Sequence, residues 1–510
     1  MPSLSRSNSA APRSRFPQAL DRAAIALMIL LGVLIGVLLW GGDRTSAQVR
    51  QFSWQDKQVG ADDTAFILSF NRPMDHDSVK QNLKVQPDLP GKISWAGRRM
   101  AYTLTMPAPY GTQFQVQLQN AKDLFAGGGS RTVIKPFAAK FQTRDRAFTY
   151  IGTQGDEEGR LVLYNLTTDQ KLILSPSELV VMDYKFYPLG DRILFTAAPR
   201  TNQPQGLLEQ QLYTVTTGIH VTPPQPIDSE QATTTVAVTQ PPGQVERILD
   251  NATYQNLKFD LSADGKIIVV QRVNRRDPSD FGPWILREGE DPQPLKGQPG
   301  GDFLITPDSD ALAIAQGQGL ALLPLYPDAK PLDFLPKFGM VLSFSRDGSQ
   351  AAMVKFNSDR TKSLFLVSNQ GVQKELLKTD GSILSAQFDP TRQTLYCVLT
   401  DLIVGETYQE TPYLGAIDLK TSKLNRLLSL PGERDVQVSL APDGLAVLYD
   451  QAATLVPGMQ VAGTHLRTAE GKTIADSRLW FLPVPTSAEP DIKPQPEPLP
   501  MAGLRPRWLP

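Results

Sequence analysis

The side chains that could catalyse a reaction or bind a metal are few in this chain and form no known spacing. There are three histidines, His76, His220 and His465, and a single cysteine, Cys397. A zinc site needs three or four Cys, His or carboxylate ligands, and an α/β serine hydrolase needs a Gly-x-Ser-x-Gly turn. Neither pattern occurs, and no glycine loop for phosphate or dinucleotide binding is present. We therefore predict no metal, no cofactor and no catalytic residue, and the sequence leans away from an enzyme.

Charged and aromatic side chains concentrate instead in four long segments between apolar runs, at 198–209, 274–283, 402–412 and 451–477. Long connections on a rigid scaffold are common places for binding. The alternative is that these segments are solvated connections without a ligand. The binding candidates that we single out are Arg275, Arg276, Asp277, Phe281, Tyr408 and Arg467.

A repeated turn predicts the scaffold that carries these segments. Leu440-Ala-Pro-Asp-Gly444, Phe344-Ser-Arg-Asp-Gly348 and Leu261-Ser-Ala-Asp-Gly265 each precede an apolar run. Proline presets φ, aspartate can accept a hydrogen bond from the backbone that follows it, and glycine adopts a positive φ without strain. Since the residues before each turn alternate between apolar and polar, each copy predicts a β-hairpin.

The spacing of these copies predicts the architecture. Their apolar anchors fall at positions 186, 261, 305, 344, 388 and 440. A period of about 40–45 residues with four strands is typical of a β-propeller blade. Residues 147–174 supply three strands without a first one, and residues 507–510 supply a first strand without its turn. We expect the two chain ends to share one blade, with Trp508 as a seventh anchor, which gives seven blades; six is the alternative.

The Pro-Asp-Gly copies resemble the repeats of TolB-type propellers, which also occur in prolyl-oligopeptidase-like proteins. The resemblance covers 146–510 and implies a TolB-like β-propeller. Two copies depart from the motif, since 388–392 lacks the Asp-Gly pair and 186–190 lacks the aspartate. No hydrolase domain follows the repeats, so the resemblance does not imply a peptidase.

Residues 48–144 predict a separate β-sandwich of short strands. The segments Ile67-Leu-Ser-Phe-Asn-Arg-Pro-Met-Asp75 and Gly111-Thr-Gln-Phe-Gln-Val116 resemble the bacterial Ig-like domain of surface-layer proteins. This resemblance implies a spacer or an adhesive module.

The N-terminal segment predicts a membrane anchor. Residues 1–22 are rich in Ser, Pro and Arg and are expected to be a disordered cytoplasmic tail. Residues 23–42 contain no charge and are long enough for a transmembrane helix, and the arginines before them place the N-terminus in the cytoplasm. The alternative is a cleaved signal peptide. In both cases the bulk of the chain is expected to be extracytoplasmic, in the periplasm or at the cell surface.

The predicted fold class is therefore all-β: a seven-bladed propeller, an Ig-like β-sandwich and one N-terminal transmembrane helix. A net charge of −1 argues against a nucleic-acid partner. The predicted function is a membrane-anchored binding or scaffolding protein of a bacterial cell envelope, with an envelope protein or glycan bound on one loop face of the propeller. The alternative is a propeller enzyme, a lyase or glycan hydrolase, acting through carboxylates at the central channel.

Overall fold

The computed structural model describes residues 19–41, 46–124, 133–200, 209–219, 240–295, 300–317, 319–326, 333–403, 405, 409–430, 435–455, 466–468, 471–484 and 495–510. These residues form helix α1 (Ala19–Gly41), helix α2 (His76–Asn82), one 3-10 turn (Gly155–Glu157) and 36 strands. The first eight strands are β1 Val49–Phe52, β2 Gln58–Val59, β3 Ala65–Phe70, β4 Leu83–Gln86, β5 Gly91–Ala96, β6 Arg99–Leu104, β7 Gln113–Leu118 and β8 Phe137–Thr143.

The remaining strands follow in chain order. They are β9 Ala147–Gly152, β10 Leu161–Asn165, β11 Gln170–Ile173, β12 Leu179–Phe186, β13 Arg192–Pro199, β14 Gln211–Thr216, β15 Val245–Leu249, β16 Tyr254–Leu261, β17 Ile267–Asn274, β18 Phe281–Arg287, β19 Gln293–Pro294, β20 Phe303–Ile305, β21 Ala311–Gln316, β22 Gly319–Pro324, β23 Asp333–Leu335, β24 Met340–Phe344, β25 Gln350–Phe356, β26 Lys362–Ser368, β27 Gln373–Thr379, β28 Ile383–Phe388, β29 Thr394–Ile403, β30 Gln409–Asp418, β31 Leu424–Ser429, β32 Val438–Leu440, β33 Ala446–Thr454, β34 Ile474–Pro483, β35 Glu497–Pro498 and β36 Gly503–Trp508.

The prediction of a transmembrane helix at 23–42 is contradicted. Helix α1 covers the predicted segment, and its side chains are described from 22 to 37. A membrane span needs about 20 consecutive apolar residues. Within the described residues no helix meets the length and apolarity that such a span requires. The single-pass membrane topology, with a cytoplasmic N-terminus and an extracytoplasmic bulk, falls with this prediction.

The described residues form nine four-stranded sheets. Two of them, with strand orders β1-β3-β6-β5 and β2-β8-β7-β4, come from the N-terminal part of the chain. Aromatic side chains pack between them: Phe66 stacks on Tyr102, Phe114 stacks on Phe141, and the edge of Trp54 contacts both Phe66 and Phe141. This core explains the alternation of apolar residues along β3 and β7.

The chain separates into two compact units, one of residues 1–50, 70–83 and 118–137, and one of residues 51–69, 84–117 and 138–510. In the first unit, the Asp75 carboxylate caps α2 by accepting hydrogen bonds from the backbone N–H groups of Asp77 and Ser78. Arg72 and Asp123 form an ion pair at 3.2 Å, in which the Asp123 side chain is buried. A helix of seven residues depends on such a cap, because its first N–H groups have no partner within the helix.

The other seven sheets share one plan. In six of them, four strands that are consecutive in the chain lie side by side and antiparallel, from β12-β13-β14-β15 to β32-β33-β34-β35. In the seventh, the last strand β36 pairs with β9, giving the order β11-β10-β9-β36. The first and last strands of the repeat region, β9 and β36, therefore meet in one sheet, as the incomplete strand sets at 147–174 and 507–510 predict. We call the strands of each sheet a to d, and in the seventh sheet strand a is β36.

The turn that joins strands a and b repeats in detail. Its fourth residue has a positive φ in six sheets, and the positions are Gly190, Gly265, Ser309, Gly348, Arg392 and Gly444. Consecutive turns also contact one another: a Cβ on Gly265 would lie 2.9 Å from Pro188, and one on Gly444 would lie 3.0 Å from Pro390. The proline of one turn thus packs on the glycine of the next, which explains why the motif contains both residues.

The a strands contact one another in cyclic order. Lys185 on β12 pairs with Asp260 on β16, and the Asp260 carboxylate accepts a hydrogen bond from the Ile305 N–H on β20. Strands β20, β24 and β28 follow in contact with one another. The remaining links are Gln387 to Leu440, Ser439 to Trp508 and Arg507 to Asp183. Sheets arranged radially around their first strands are a β-propeller fold.

Candidate functional site

The connections between strands b and c, and those from strand d to the next sheet, lie at one end of the sheets. This follows because all strands in a sheet are antiparallel, so successive connections alternate between the two ends. We call the end with the b–c connections the loop face. The four long segments singled out from the sequence span the b–c connections that follow β13, β17, β29 and β33. The predicted loop bounds are too wide, because residues 281–283, 409–412, 451–454 and 474–477 belong to strands.

Four of the six candidate residues lie together on the loop face. Arg275, Arg276 and Asp277 are in the b–c connection of the sheet β16-β17-β18-β19, and Phe281 begins strand β18. Arg467 belongs to the corresponding connection of another sheet, β32-β33-β34-β35. There it forms a bridge with Thr473 and donates a hydrogen bond to the Gly471 carbonyl. Tyr408 lies outside the described residues.

The connection at 275–280 is held by its own polar groups. The Asn274 side-chain oxygen accepts a hydrogen bond from the Arg276 N–H at 2.9 Å, and the Asp277 carboxylate accepts one from the Ser279 hydroxyl at 2.6 Å. The Asp280 carboxylate accepts hydrogen bonds from the Asn274 amide and the Tyr254 hydroxyl. These two bonds lower the pKa of Asp280. The backbone that carries Arg276 and Asp277 is therefore ordered, while both side chains are exposed.

Arg275 fastens this connection to the preceding sheet. Its Nε donates to the Asn251 carbonyl at 2.7 Å, and its guanidinium pairs with Glu209 at 3.2 Å. The Asn251 side chain donates to the same Glu209 carboxylate at 3.0 Å. Since the guanidinium has these partners, Arg275 positions the loop more than it offers a free charge.

Arg272 is a candidate that the sequence analysis missed. It lies on β17 near the loop face and is only 5% exposed. Its Nε donates to the Asn256 side chain at 3.1 Å, and its guanidinium lies 4.8 Å from the Tyr254 ring centroid and 5.0 Å from that of Trp284. Burial lowers the pKa of Arg272. The available signal was the period-two pattern of β17, which puts Arg272 on the same side as the core residues Ile268 and Val270.

Buried amides connect Arg272 to the preceding sheet. Asn256 donates to the backbone carbonyls of Gln210 and Asp250, at 3.2 and 3.0 Å. The Gln210 side chain donates in return to the carbonyls of Asn256 and Leu257, at 2.6 and 2.8 Å. Asn256 is 1% exposed and Gln210 is 5% exposed, so the network forms a floor of satisfied polar groups beneath the loop face.

The a strands carry a second group of charges, where the alternative enzyme would act. Asp183 pairs with Arg507 at 2.8 Å and with Arg505 at 3.3 Å. Burial opposes the ionisation of Asp183, but the two guanidinium groups outweigh it and lower its pKa. Asp450 on β33 accepts hydrogen bonds from the backbone N–H groups of Arg505 and Gln437. Burial raises the pKa of Asp450 to about 7.

Asp183 is paired with two arginines, whereas Asp450, on a b strand, is held by hydrogen bonds from two backbone N–H groups. No histidine lies among the a strands that the structure describes. His76 is in α2, and His220 and His465 are outside the described residues. Within the described part of the chain, no group of three or more His, Cys, Asp or Glu side chains could hold a metal ion.

Comparisons with known proteins return distant structural matches. No family model and no curated protein match this chain. The chain is similar to TolB from Acinetobacter baumannii, with 11% identity over 84% of this chain and 83% of that one, at a TM-score of 0.39. Oligogalacturonate lyase from Vibrio parahaemolyticus matches with 11% identity over 60% and 87%, at 0.41.

A third match is a putative 6-phosphogluconolactonase from Bacteroides fragilis, with 12% identity over 71% of this chain and 97% of that one, at a TM-score of 0.42. TolB, to which the repeats show a resemblance, is thus among the matches. At these sequence identities and TM-scores, the matches indicate neither an activity nor a ligand for this chain. The propeller fold is inferred from the seven four-stranded sheets of the chain itself.

Proposed function

We propose that this chain is a binding or scaffolding module that holds a protein partner on the loop face of its propeller. The observation that carries the proposal is the ordered connection at 275–280. Asn274, Asp277 and Asp280 bind the backbone and one another, so that the exposed Arg276 side chain projects from a fixed loop. A preordered loop loses less conformational entropy on binding than a flexible one, which favours affinity.

A protein partner fits this surface better than a glycan does. Aromatic rings that stack on sugars need a free face, whereas Tyr254 and Trp284 lie 4.8 Å apart and have the Arg272 guanidinium between 4.8 and 5.0 Å from their centroids. Exposed opposite charges such as Arg276 and Asp277 suit the polar rim of a protein–protein interface. We leave binding of a glycan as an outcome of the test.

The same proposal assigns an architecture. The seven sheets from β9 to β36 are taken as seven blades, because β36 supplies the strand that completes the sheet of β9, β10 and β11. The sheets of residues 48–144 are taken as an Ig-like domain, and those of residues 146–510 as the propeller. Within the second compact unit, the Tyr110 N–H donates to the Asp443 carboxylate and Arg346 pairs with Asp62.

The enzyme alternative gains no specific support. The charged groups on the a strands neutralise one another, since Asp183 pairs with Arg505 and Arg507, and Lys185 pairs with Asp260. A general acid and base pair would need carboxyl groups that face a substrate without such partners. We therefore place the function on the loop face.

Photo-crosslinking from single positions of the full chain tests this proposal. A photoreactive phenylalanine replaces Arg276 on the loop face, or Gln370 in the turn between β26 and β27 at the opposite end, in cells that express the chain natively. Both positions are exposed, which makes them a matched pair. We expect one discrete protein adduct from position 276 and none from position 370. Equal labelling from both positions, or an adduct that carries glycan and no protein, would contradict the proposal.

A further inference from the structure

Arg272 is a buried cation without a carboxylate partner. The residue is 5% exposed, and its Nε makes the one hydrogen bond described for it, to Asn256. Its Nη groups donate to no residue that the structure describes, and no described carboxylate lies within ion-pair distance of it. Leaving a buried charge unpaired costs several kcal/mol. Arg426 provides a contrast, because it also lies over a ring, that of Tyr413, but it pairs with Asp401.

The guanidinium is held in one orientation. Tyr254 and Trp284 lie against it, and the Asn256 side chain accepts from its Nε. Tyr254 is itself fixed by its hydrogen bond to Asp280 at 2.7 Å. The Nε of this planar guanidinium is already bound, while its two Nη groups have no partner among the described residues. The Nη groups can therefore donate two parallel hydrogen bonds to one acceptor group.

Space for that acceptor is present across the sheet. Gly282 on β18 is the register partner of Arg272 on β17, and directly paired residues project to the same face of a sheet. A Cβ built on Gly282 would meet no atom within 4 Å. Its backbone is not left-handed, so an ordinary residue could occupy the position without strain. The lack of a side chain at 282 therefore leaves open space on the face of the sheet that carries Arg272, and we call this space the notch.

We propose that the notch beside Arg272 and Gly282 binds a carboxylate group presented by a protein partner, from either an acidic side chain or a chain terminus. The inference rests on the proposed function, since it names the chemistry by which the partner is anchored to the loop face. A carboxylate satisfies both Nη groups at once and neutralises the buried charge in a medium of low dielectric constant.

Three acidic residues lie near this site, and two of them are engaged by other side chains. Glu209 is engaged by Arg275 and Asn251, and Asp280 is engaged by Tyr254 and Asn274. Asp250 acts on Arg272 at longer range and favours its charged form. A bound carboxylate would repel Asp250, so Asp250→Asn is expected to tighten binding of an anion by about threefold.

Fluorine NMR of the full chain labelled with 5-fluorotryptophan tests the site, with Trp284 as the reporter. The chain has six tryptophans, and Trp284→Phe assigns the signal. The probes are acetyl-Gly-Glu-Gly-amide and acetyl-Gly-Gly-Gly with a free C-terminus, which distinguish the two sources of carboxylate. Acetyl-Gly-Gln-Gly-amide is the neutral control. We expect a saturable shift of the Trp284 signal by at least one carboxylate peptide, with a dissociation constant on the order of 1–10 mM, and none by the control.

Two kinds of variant keep the test decisive. Arg272→Lys retains the charge but not the fork, and Gly282→Leu fills the notch and leaves the charge intact. Both variants are expected to raise the dissociation constants of the carboxylate peptides at least tenfold, while Arg426→Gln should leave these constants unchanged. Circular dichroism shows whether each variant folds. Equal shifts in Gly282→Leu, or an equal response to the glutamine peptide, would overturn the inference.

The outcomes separate this inference from the function on which it rests. An adduct at position 276 together with no peptide response at Trp284 would refute the carboxylate site and leave the binding module standing. A peptide response without any adduct would support the site and refute the protein-binding function.

Discussion

Asp443 provides the most discriminating test of how the repeat is used. It is the aspartate of the Leu440-Ala-Pro-Asp-Gly444 turn and is 2% exposed. Its carboxylate accepts hydrogen bonds from the N–H groups of Tyr110 at 3.0 Å and Leu445 at 3.1 Å, and it pairs with Arg146 at 2.5 Å. Only the bond to Leu445 belongs to the turn. The other two join the turn to Tyr110 and Arg146, which belong to the same compact unit.

The Asp443→Asn variant keeps one acceptor oxygen and loses the charge. The bond to the Leu445 N–H survives, while the new amide group faces the Tyr110 N–H and Arg146, which are both donors. Two charge-assisted hydrogen bonds of about 1.5–3 kcal/mol each are lost. Since the Arg146 side chain is 23% exposed, water recovers part of this. We expect the free energy of unfolding to fall by about 3–4 kcal/mol.

Asp347→Asn is the matched control, because Asp347 occupies the same position in the Phe344-Ser-Arg-Asp-Gly348 turn. Its side chain is 44% exposed and its partner Arg392 is 47% exposed. An exposed ion pair contributes about 0–1 kcal/mol, so we expect a loss below about 1 kcal/mol. Urea unfolding followed by tryptophan fluorescence measures both variants, and hydrogen exchange of the Tyr110 amide reports the local effect. Equal decreases in the free energy of unfolding in the two variants would refute the reasoning and indicate that Asp443 acts only within its turn.

Three further predictions concern single sites. Burial raises the pKa of Asp450 from 3.8 to about 7, so the folded state binds the proton more tightly than the unfolded state does. The free energy of unfolding should therefore fall as pH rises from about 4 to 7, by at most about 4 kcal/mol. Asp450→Asn should remove this fall when urea unfolding is measured at several pH values. Gly265 has a φ of +74, and a Cβ at this position would lie 2.9 Å from Pro188, so Gly265→Ala should lower the free energy of unfolding by about 2–3 kcal/mol. Gly289→Ala, whose Cβ would meet no neighbour, should lower it by about 1 kcal/mol. Similar decreases in melting temperature in the two variants would argue against packing between the turns. Cys397 is fully buried and its thiol pKa is raised by burial, so a thiol-specific reagent should label it only after denaturation, and labelling of the native chain would contradict its position.

The parts of the fold that the sequence predicts are those that depend on local chemistry. The turn sequence determines a positive φ four residues after its apolar anchor, and the structure has one at Gly190, Gly265, Gly348 and Gly444. The pairing of the C-terminal strand with β9 was also predictable, because each end of the chain has an incomplete set of strands. In the divergent copy at 388–392, Arg392 adopts the left-handed conformation, while the Asp389 carboxylate accepts from the Thr394 N–H at 2.7 Å.

The features that sequence reasoning missed depend on contacts between distant residues. The bond of Asp443 to Tyr110 spans 333 positions, and no local pattern announces it. Arg272 was overlooked because charge usually indicates exposure, whereas here Asn256 and two rings allow its burial. The predicted transmembrane helix at 23–42 is contradicted separately, since no helix among the described residues meets the requirements of a span.

The positions of the candidate residues were predicted in part. Their position in long b–c connections followed from the repeat, and Arg275, Arg276, Asp277 and Phe281 do lie together. The role of Arg275 did not follow, because its bonds to Glu209 and Asn251 come from the preceding sheet. Whether these residues bind a partner stays a prediction.

Hydrogen exchange of the full chain, with and without the protein captured from position 276, tests the central claim most directly. The loop face should be protected on binding, with slower exchange of the backbone amides at 274–281 and unchanged exchange at 369–372 in the opposite turn. Protection of 369–372 with none at 274–281 would place the partner at the wrong end of the sheets and contradict the account.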